Sequence, residues 1–387
     1  MKKILFLTNH YLPGYKAGGP IKSISSLCER INENFILYVI TSDRDSGDRE
    51  SFKNIKIDDI NYHNNTNVVY LSKVDILNVF KWIKSIQPDV IHLNSFFSKF
   101  SQIVLFLNKI GLINSKIILS ARGELSTGAL SIKSPKKISY LFFTKLLNLY
   151  SNIAFHVTDK IEFNDVKNTF NNNKIYNIQN LTGNIKSSKN LDRFLDSKIL
   201  KLVFISRIAR KKNLKFALEI LESYSGSKKI VFDIYGTQED EKYWNECNDV
   251  IKRMDNNVTV AYKKSLKPIE VPSILSQYHV FFLPTKNENF GHAIVEAMQN
   301  GVIPLISDQT PWDNLENYNA GYSLPLSNKI LFMEAIYNLC QLPSKDLALL
   351  SIGSIEFIKN KLDTNNTIKQ YLFMYKKESF KSPNAGS

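Results

Sequence analysis

Residues 279–300 read HVFFLPTKNENFGHAIVEAMQN and combine an apolar run, a polar loop and an amphipathic segment. The run 279–284 is typical of a buried strand, and the spacing of apolar residues in 291–300 predicts a helix. Glu288 and Glu296 stand eight residues apart, on either side of a Phe-Gly step. Because open α/β sheets bind ligands at the carboxyl ends of their strands, this loop is a candidate binding site.

The same strand–helix alternation extends over the chain. Strand candidates are 3–8, 36–41, 68–72, 89–94 and 116–120, followed by 201–206, 229–235, 257–262, 279–284 and 302–307. Helix candidates include 74–86, 136–150, 213–224, 291–300 and 328–340. Nearly continuous apolar strands alternating with helices indicate parallel sheets that are covered on both faces. The sequence therefore predicts two doubly wound α/β domains.

The length of 387 residues also favours two domains, since single cores rarely grow past about 250–300 residues. The polar stretch 183–198 is the expected boundary. We predict an N-terminal domain over 1–185 and a C-terminal domain over 186–365. We expect 366–387 to form a helix and tail that return to the N-terminal domain.

Composition excludes several classes of protein. Apolar residues make up 43% and charged residues 22% of the chain, so a disordered or fibrous protein is excluded. Cys28, Cys247 and Cys340 lie far apart, which fits a reduced compartment. Neither a signal-peptide core nor an apolar run of about 20 residues is present, so we expect a cytoplasmic protein, soluble or peripheral on the inner face of the plasma membrane.

The net charge of +14 is concentrated in one half of the chain. Residues 1–200 carry 27 basic and 16 acidic side chains (+11), and 201–387 carry 23 and 20 (+3). This asymmetry favours an anionic partner or serves only solubility. The basic segment 133–150, with lysines at 133, 136, 137 and 145, predicts either a helix in an anionic membrane interface or a core-facing helix with a solvated edge. No nucleic-acid-binding module is evident, so nucleic acid is not an expected partner.

Two further loops are suited to anions. Gly18-Gly19 follows the first strand and precedes a helix, so backbone can approach a ligand closely there, although a plain turn is the alternative. After strand 201–206 come four cations, which form either an anion site or a solvated basic turn; they are Arg207, Arg210, Lys211 and Lys212. Asp43-Arg44-Asp45 is a DxD string without a second ligand set, and we interpret it as a solvated loop. We predict no metal site.

These motifs resemble the family 4 retaining glycosyltransferases of GT-B fold, in which two Rossmann-like domains face a central cleft. Four segments match in order: Gly18-Gly19, Arg207…Lys212, the E-x7-E element Glu288…Glu296, and Thr310-Pro311-Trp312. The segment Ser120-Ala-Arg122-Gly123-Glu124-Leu125, followed by Ala129-Leu130, resembles the PRG-x-L…AL stretch of a bacterial polysaccharide-assembly branch.

The resemblance implies roles for individual residues. It makes Glu288, Arg207 and Lys212 catalytic, with the two cations on the donor diphosphate and Glu288 on the transferred sugar. Donor-binding residues would be Gly18, Gly19, Glu296, Phe290, Gly291 and His292, with Gly19 approaching from the opposite domain. Acceptor-side residues would be His92, Asn94, Arg122 and Glu124. Arg122 stands where many members carry His, and His92 within an apolar strand is equally a candidate for a satisfied core histidine.

The implied activity is that of a retaining, metal-independent hexosyltransferase without a cofactor. It would move a hexose from a nucleotide sugar, with UDP favoured over GDP, to a lipid-linked or oligosaccharide acceptor in O-antigen, capsule or exopolysaccharide synthesis. Alternatives are another GT-B enzyme such as a nucleotide-sugar 2-epimerase, a non-catalytic basic binding protein, and an inactive scaffold. The intact Glu288, Glu296, Arg207 and Lys212 argue against a scaffold.

Overall fold

The computed structural model describes residues 1–126, 130, 134–171, 173–183, 192–194 and 198–377. Contacts divide the chain into unit 1, Met1–Gly183 with the segment from Thr364 onward, and unit 2, Asn184–Asp363. The expected boundary at 185/186 lies two residues after this division at 183/184. Ala129, Lys133, most of 183–198 and the tail beyond residue 377 lie outside the described residues.

Unit 1 is built on one eight-stranded sheet. Its strands are β1 (Lys3–Leu7), β2 (Ile36–Ser42), β3 (Ile60–His63), β4 (Thr66–Leu71), β5 (Val90–Asn94), β6 (Lys116–Ser120), β7 (Ala154–Val157) and β8 (Lys174–Asn177). The order is β3-β4-β2-β1-β5-β6-β7-β8, and each pair is parallel except β3 with β4. Helices are α1 (Gly19–Ile31), α2 (Ile76–Ile86), α3 (Lys99–Lys109), α4 (Ser134–Leu146), α5 (Lys160–Thr169) and, at the end of the chain, α12 (Thr364–Lys376).

Unit 2 is built on a six-stranded parallel sheet. Its strands are β9 (Ile199–Ile205), β10 (Lys229–Tyr235), β11 (Val258–Tyr262), β12 (Val280–Leu283), β13 (Ile303–Ser307) and β14 (Tyr322–Leu324). Helices are α6 (Leu214–Glu222), α7 (Glu241–Ile251), α8 (Val271–Leu275), α9 (His292–Gln299), α10 (Lys329–Gln341) and α11 (Ser344–Lys361). The order β11-β10-β9-β12-β13-β14 is the 3-2-1-4-5-6 order of a Rossmann sheet. The predicted doubly wound α/β architecture is confirmed.

All ten predicted strands are present, and the described ranges contain four further strands that were not predicted. The additional strands are β3, β7, β8 and β14, each of only three or four residues. Such short runs give too little periodicity to distinguish a strand from a loop. Helix α4 ends at Leu146, earlier than the predicted residue 150, because Asn148 adopts a left-handed φ of 52° that cannot continue a helix.

The last helix, α12, is joined to the sheet of unit 1 by a buried chain of hydrogen bonds. The Tyr375 hydroxyl lies 2.7 Å from His92 Nδ1, and His92 Nε2 lies 2.8 Å from Ser120 Oγ. Ser120 Oγ lies 2.7 Å from His156 Nδ1, and His156 Nε2 lies 3.0 Å from the Ile178 carbonyl. The four side chains in this chain are almost fully buried.

The chemistry of the groups determines which one donates and which one accepts in each hydrogen bond of this buried series. Burial lowers the pKa of His156 to about 3 and the pKa of His92 well below its usual range, so both rings are neutral near pH 7. The Ile178 carbonyl can only accept, so His156 donates from Nε2 and accepts at Nδ1 from Ser120. Ser120 must then accept from His92 Nε2, and His92 Nδ1 accepts from Tyr375.

Two lysines bind the carboxyl end of α12. Lys116 Nζ donates to the carbonyls of Met374 at 2.6 Å and Lys377 at 3.1 Å, and Lys2 Nζ donates to the Lys376 carbonyl at 2.9 Å. These carbonyls lack partners within the helix, and their partial negative charge attracts cations. The carboxyl-terminal segment is therefore an integral part of unit 1.

We predict that Tyr375→Phe lowers the free energy of unfolding by about 1–3 kcal/mol, because it leaves His92 Nδ1 buried without a donor. Urea unfolding monitored by circular dichroism measures this change. The matched control is Tyr62→Phe, since the Tyr62 side chain is 82% exposed and should lose little. Equal stability of the two variants would contradict the role assigned to the buried chain.

Candidate functional site

The strand order identifies one position in each sheet where loops diverge. In unit 1, β1 is paired with β2 on one side and β5 on the other; in unit 2, β9 lies between β10 and β12. The connections after the two neighbouring strands run in opposite directions at such a switch point, which leaves a crevice at the carboxyl edge of the sheet. The glycine loop after β1, the basic loop after β9 and the loop after β12 all lie at these positions.

In unit 2 a lysine–glutamate pair connects the two loops of the switch point. Lys212 follows β9, Glu288 follows β12, and Lys212 Nζ forms an ion pair with Glu288 Oε1. Their side chains are only 14% and 13% exposed. A charge with so little access to water is costly without a partner, and the ion pair supplies one to each residue. The structure thus brings together two of the predicted catalytic residues, 76 positions apart in sequence.

Backbone hydrogen bonds hold these loops in register. Lys286 N donates to the Lys211 carbonyl at 2.8 Å, and Thr285 Oγ1 donates to the same carbonyl at 3.2 Å. Glu288 N donates to the Gln309 carbonyl at 2.9 Å. The loops that follow β9, β12 and β13 therefore form one connected edge, on which the position of Glu288 is fixed by its own backbone.

The Phe-Gly step forms the start of α9. Gly291 is the N-cap with a left-handed φ of 74°, a conformation that glycine adopts at no steric cost. Phe290 is buried, its ring lies edge-on to Trp312 at 5.4 Å, and Trp312 Nε1 donates to the Phe290 carbonyl at 2.5 Å. The first N–H groups of a helix have no intrahelical acceptor, so the amides at this end can hold an anion. His292 begins α9, and Glu296 lies within it, partly exposed.

The four cations after β9 do not form one cluster. Arg207 pairs with Glu239 at 2.6 Å, in the loop after β10. Arg210 instead pairs with Asp240, the N-cap of α7, at 3.2 Å and with Glu246, in the middle of that helix, at 2.6 Å. The four cations therefore do not all belong to the predicted anion site. Arg207 and Lys212 are paired with different carboxylates, and Arg210 is paired with acidic residues of α7.

Sequence reasoning missed Gly236 and Glu239 beside this site. Gly236 has a φ of 153°, and a Cβ atom there would lie 1.8 Å from the Ser206 carbonyl oxygen. Only glycine therefore allows the loop after β10 to approach the backbone that precedes Arg207. The sequence feature that could have identified Gly236 is its position directly after the predicted strand 229–235.

In unit 1 the glycine loop is held by the second aspartate of the DxD string. Gly18 is the N-cap of α1 with a φ of 69°, and Gly19 is its first residue. Asp45 accepts hydrogen bonds from the backbone N–H groups of Tyr15 at 2.8 Å and Lys16 at 3.0 Å. This aspartate therefore fixes the loop that leads to the two glycines.

The interpretation of Asp43-Arg44-Asp45 as a solvated loop was wrong. Asp43 and Asp45 are 2% and 4% exposed, because their carboxylates serve as internal acceptors. Asp43 accepts from Arg44 at 2.8 Å and from Ser51 at 2.6 Å. A buried carboxylate needs such donors, and the sequence does not show which residues supply them.

The acceptor-side candidates separate into two groups. Asn94 Oδ1 accepts from Arg122 at 2.7 Å, and Glu124 accepts from the Ser95 hydroxyl at 2.8 Å, so these three candidates lie at the carboxyl edge of the sheet. His92 lies in the core with both ring nitrogens hydrogen-bonded. His92 is therefore a core histidine whose two ring nitrogens are satisfied, which was one of the two interpretations of the sequence.

The described residues show neither a metal-binding cluster nor a membrane-spanning helix. Within those ranges, no group of three or more His, Cys, Asp or Glu side chains is arranged to hold a metal ion. Over the same part of the chain, no helix combines the length and apolar character needed to cross a membrane.

Comparison with known families assigns unit 2. Residues 184–348 match the family model "Glycosyl transferases group 1". This segment coincides with most of unit 2 and contains every donor-side candidate except Gly18 and Gly19. Unit 2 thus carries a group 1 glycosyltransferase domain.

Two curated proteins are similar in sequence. The "UDP-N-acetylglucosamine--peptide N-acetylglucosaminyltransferase GtfA subunit" of Streptococcus pneumoniae is 27% identical over 146 residues, which are 36% of this chain and 28% of that protein. The matched part is thus well under two thirds of that relative. An "uncharacterized 41.2 kDa protein in cps region" of Klebsiella pneumoniae is 24% identical over 338 residues, 80% of this chain and 84% of that protein.

The fold also has counterparts among solved structures. Sucrose-phosphate synthase of Thermosynechococcus elongatus superposes with a TM-score of 0.74 at 14% identity, covering 97% of this chain and 98% of that chain. Identity at this level shows the fold alone, which is GT-B with two Rossmann-like units. The family match favours a glycosyltransferase over the epimerase and basic-binding alternatives.

We predict that Gly236→Ala lowers the free energy of unfolding by about 2 kcal/mol or more, because the new Cβ collides with the Ser206 carbonyl. The control is Gly47→Ala, where φ is also positive at 81° but no atom lies within 4 Å of the added Cβ. Thermal unfolding of both variants separates the collision from the cost of positive φ. Similar melting temperatures would contradict the close approach.

Proposed function

We propose that this chain is a retaining, metal-independent hexosyltransferase whose nucleotide-sugar donor binds at the carboxyl edge of the unit 2 sheet. The observation that carries the proposal is the Lys212–Glu288 ion pair across the switch point. Two further features support the proposal. The Arg207–Glu239 pair lies in the loops after β9 and β10, and Gly291, the N-cap of α9, lies three residues after Glu288.

The chemistry of the pair suits the departure of a nucleoside diphosphate. When the donor binds, the Lys212 ammonium moves from Glu288 to the diphosphate and neutralises the charge that develops on the leaving group. Glu288 then accepts hydrogen bonds from hydroxyl groups of the transferred sugar. Arg207 supplies a planar guanidinium to phosphate oxygens, and the amides of Gly291 and His292 hold a phosphate at the helix end. Glu296 accepts from the ribose hydroxyls.

The relatives support a donor and a biological setting. We propose UDP as the nucleotide, in preference to GDP, because the name of the pneumococcal relative specifies a UDP-sugar. We propose a lipid-linked or oligosaccharide acceptor in cell-surface polysaccharide synthesis, because the Klebsiella relative is described by its position in a cps region. The reaction then proceeds on the cytoplasmic side of the membrane, with retention of the anomeric configuration.

We expect UDP or a UDP-sugar to raise the melting temperature of the wild-type chain with EDTA present, and GDP and CMP to raise it less. A ligand at a hundred times its Kd stabilises the folded state by about 2.7 kcal/mol. The shift should be lost in Glu296→Ala and Lys212→Met. It should persist in Arg210→Gln, a matched control on the same loop whose guanidinium pairs with α7 instead. No shift with any nucleotide, or an equal loss in the control, would contradict the donor site.

Helix α4 presents a second face that the proposed function can use. Tyr140 and Leu141 pack against the core of unit 1, and Thr144 is buried. Large apolar side chains on the other face are more than half exposed; they are Ile138, Phe142, Phe143, Leu146 and, just after the helix, Leu147, and together they form the α4 patch. A core-facing helix with a solvated edge does not account for this patch.

We infer that the α4 patch contacts an anionic membrane surface. Lys136, Lys137 and Lys145 belong to the same helix, and their charge complements acidic headgroups while the apolar side chains enter the interface. Lysines in this position contribute about 1 kcal/mol each near an anionic surface. This placement would bring the enzyme to a lipid-linked acceptor.

Neutralising Lys136, Lys137 and Lys145 to Gln should weaken binding to vesicles containing phosphatidylglycerol, and Phe142→Ser with Phe143→Ser should weaken it further. The control is Lys53→Gln, Lys56→Gln and Lys81→Gln, which removes the same charge from exposed positions of unit 1. Sedimentation with vesicles measures the bound fraction. An equal effect of both triple variants would attribute binding to net charge and sink the α4 patch as the contact.

A further inference from the structure

Arg122 occupies an unusual backbone conformation directly after β6. Arg122 and Gly123 are consecutive residues with positive φ values of 55° and 71°. Glycine adopts this region freely, whereas an arginine there carries a conformational cost that the surroundings must offset. The turn therefore presents this particular side chain at the expense of backbone strain.

Two carboxylates stabilise the turn, and neither forms a hydrogen bond or an ion pair with the Arg122 guanidinium. Glu162 accepts from Gly123 N at 2.7 Å, and its other oxygen accepts from Thr158 N at 2.8 Å. Glu124 accepts from the Ser95 hydroxyl and from the Phe97 N–H at 3.0 Å. Acidic groups are thus close in sequence and space, yet they hold backbone and hydroxyl donors.

The guanidinium of Arg122 is held by neutral amides. Its Nη2 donates to Asn94 Oδ1 at 2.7 Å, and its Nη1 donates to Asn180 Oδ1 at 3.0 Å. Both asparagines are buried, at 3% and 7% exposure. An amide oxygen orients a cation but carries no charge of its own, so neither asparagine forms an ion pair with the guanidinium. Its Nε is buried without a hydrogen-bond partner among the residues that the structure describes.

Four other arginines have a carboxylate partner, whereas Arg30 and Arg193, like Arg122, donate to neutral oxygens. Arg44, Arg207, Arg210 and Arg253 each form an ion pair with Asp or Glu at 2.6–2.8 Å. For Arg122, no carboxylate lies within ion-pair distance in the described ranges. An oriented cation without a direct ion-pair partner, next to a sheet edge, attracts an anion from solution.

The location supports a ligand rather than a purely structural role. Asn94 ends β5, Arg122 follows β6, and Asn180 follows β8 by three residues. All three therefore lie at the carboxyl edge of the unit 1 sheet, the edge at which open α/β sheets bind ligands. The glycine loop after β1 ends at the same edge.

We propose that Arg122, oriented by Asn94 and Asn180, binds an anionic group of the acceptor and makes the enzyme select acceptors that carry one. The identity of the ligand as an acceptor rests on the proposed transferase function; the anion site itself does not. The guanidinium fork suits a phosphate or a carboxylate. In an acceptor, these groups come from a lipid-linked diphosphate or from an acidic sugar.

The test uses the full chain carrying Arg207→Gln and Lys212→Met, so that phosphate binding in unit 2 is reduced. Isothermal titration calorimetry measures the affinity of this protein for three probes: inorganic pyrophosphate, glucuronate and neutral glucose. We expect one of the two anions to bind about tenfold or more tightly than in the same protein with Arg122→Gln, since hydrogen bonds to charged groups are worth that factor. Pyrophosphate binding assigns the diphosphate source, and glucuronate binding assigns the acidic sugar. Glucose affinity should not depend on Arg122.

Two further variants distinguish a positioned fork from a general positive charge. Arg122→Lys keeps the charge and loses the fork, so it should recover only part of the affinity. Asn94→Ala with Asn180→Ala keeps Arg122 but releases it, and should weaken binding several-fold. The control is Arg49→Gln, which removes an exposed arginine of the same unit and should leave the affinity unchanged.

Equal anion affinity with Arg122 and with Gln at that position, or no measurable binding of either anion, overturns the proposal. Full recovery by Arg122→Lys overturns the role of the fork. The melting shift with UDP in a chain with intact unit 2 is measured alongside for wild type and Arg122→Gln. A retained UDP shift shows that the variant is folded and that the donor site stands even if the Arg122 proposal fails. Arg122-dependent anion binding without any UDP shift leaves the anion site standing and removes the transferase.

Discussion

The reversal of strand order beside β9 is the constraint on which the rest of unit 2 depends. Parallel strands require crossover helices, and at β9 and β12 those crossovers leave in opposite directions. The Lys212–Glu288 pair occupies that position, and backbone bonds from Lys286 to Lys211 hold the loops at the distance the pair requires. The chemistry at this edge is therefore a consequence of topology.

Much of the fold was predictable because its signals are local. Ten strands with continuous apolar runs were predicted and found, and the helix that begins after Gly291 follows from a glycine at a turn. Lys212 and Glu288 were recognised as chemical groups because each follows a predicted strand. Their pairing was not, since the sequence does not show which carboxylate a given lysine meets.

The predictions that failed or stayed open depend on partners distant in sequence. Whether His92 is a core or a site residue is decided by Tyr375, which is 283 residues away. Asp45 lies in a string that resembles a metal motif, but the amides of Tyr15 and Lys16 make it a structural acceptor. The need for glycine at position 236 comes from the Ser206 carbonyl on another strand connection. In each case tertiary packing, not residue type, sets the role.

The candidate anion-binding cations of the two units have different partners, and this difference changes the free energy needed to bind an anion. Arg207 and Lys212 of unit 2 have carboxylate partners, so in the proposed function a donor would have to displace Glu239 or Glu288 before its phosphates are bound. Part of the binding energy is consumed in that exchange, but the freed carboxylates become available to sugar hydroxyls. Arg122 of unit 1 has only amide partners and needs no exchange, so its orientation is set before a ligand arrives. In the proposed anion site, a neutral ligand would gain no charge-assisted hydrogen bond from this group, which is the physical basis for selecting a charged acceptor.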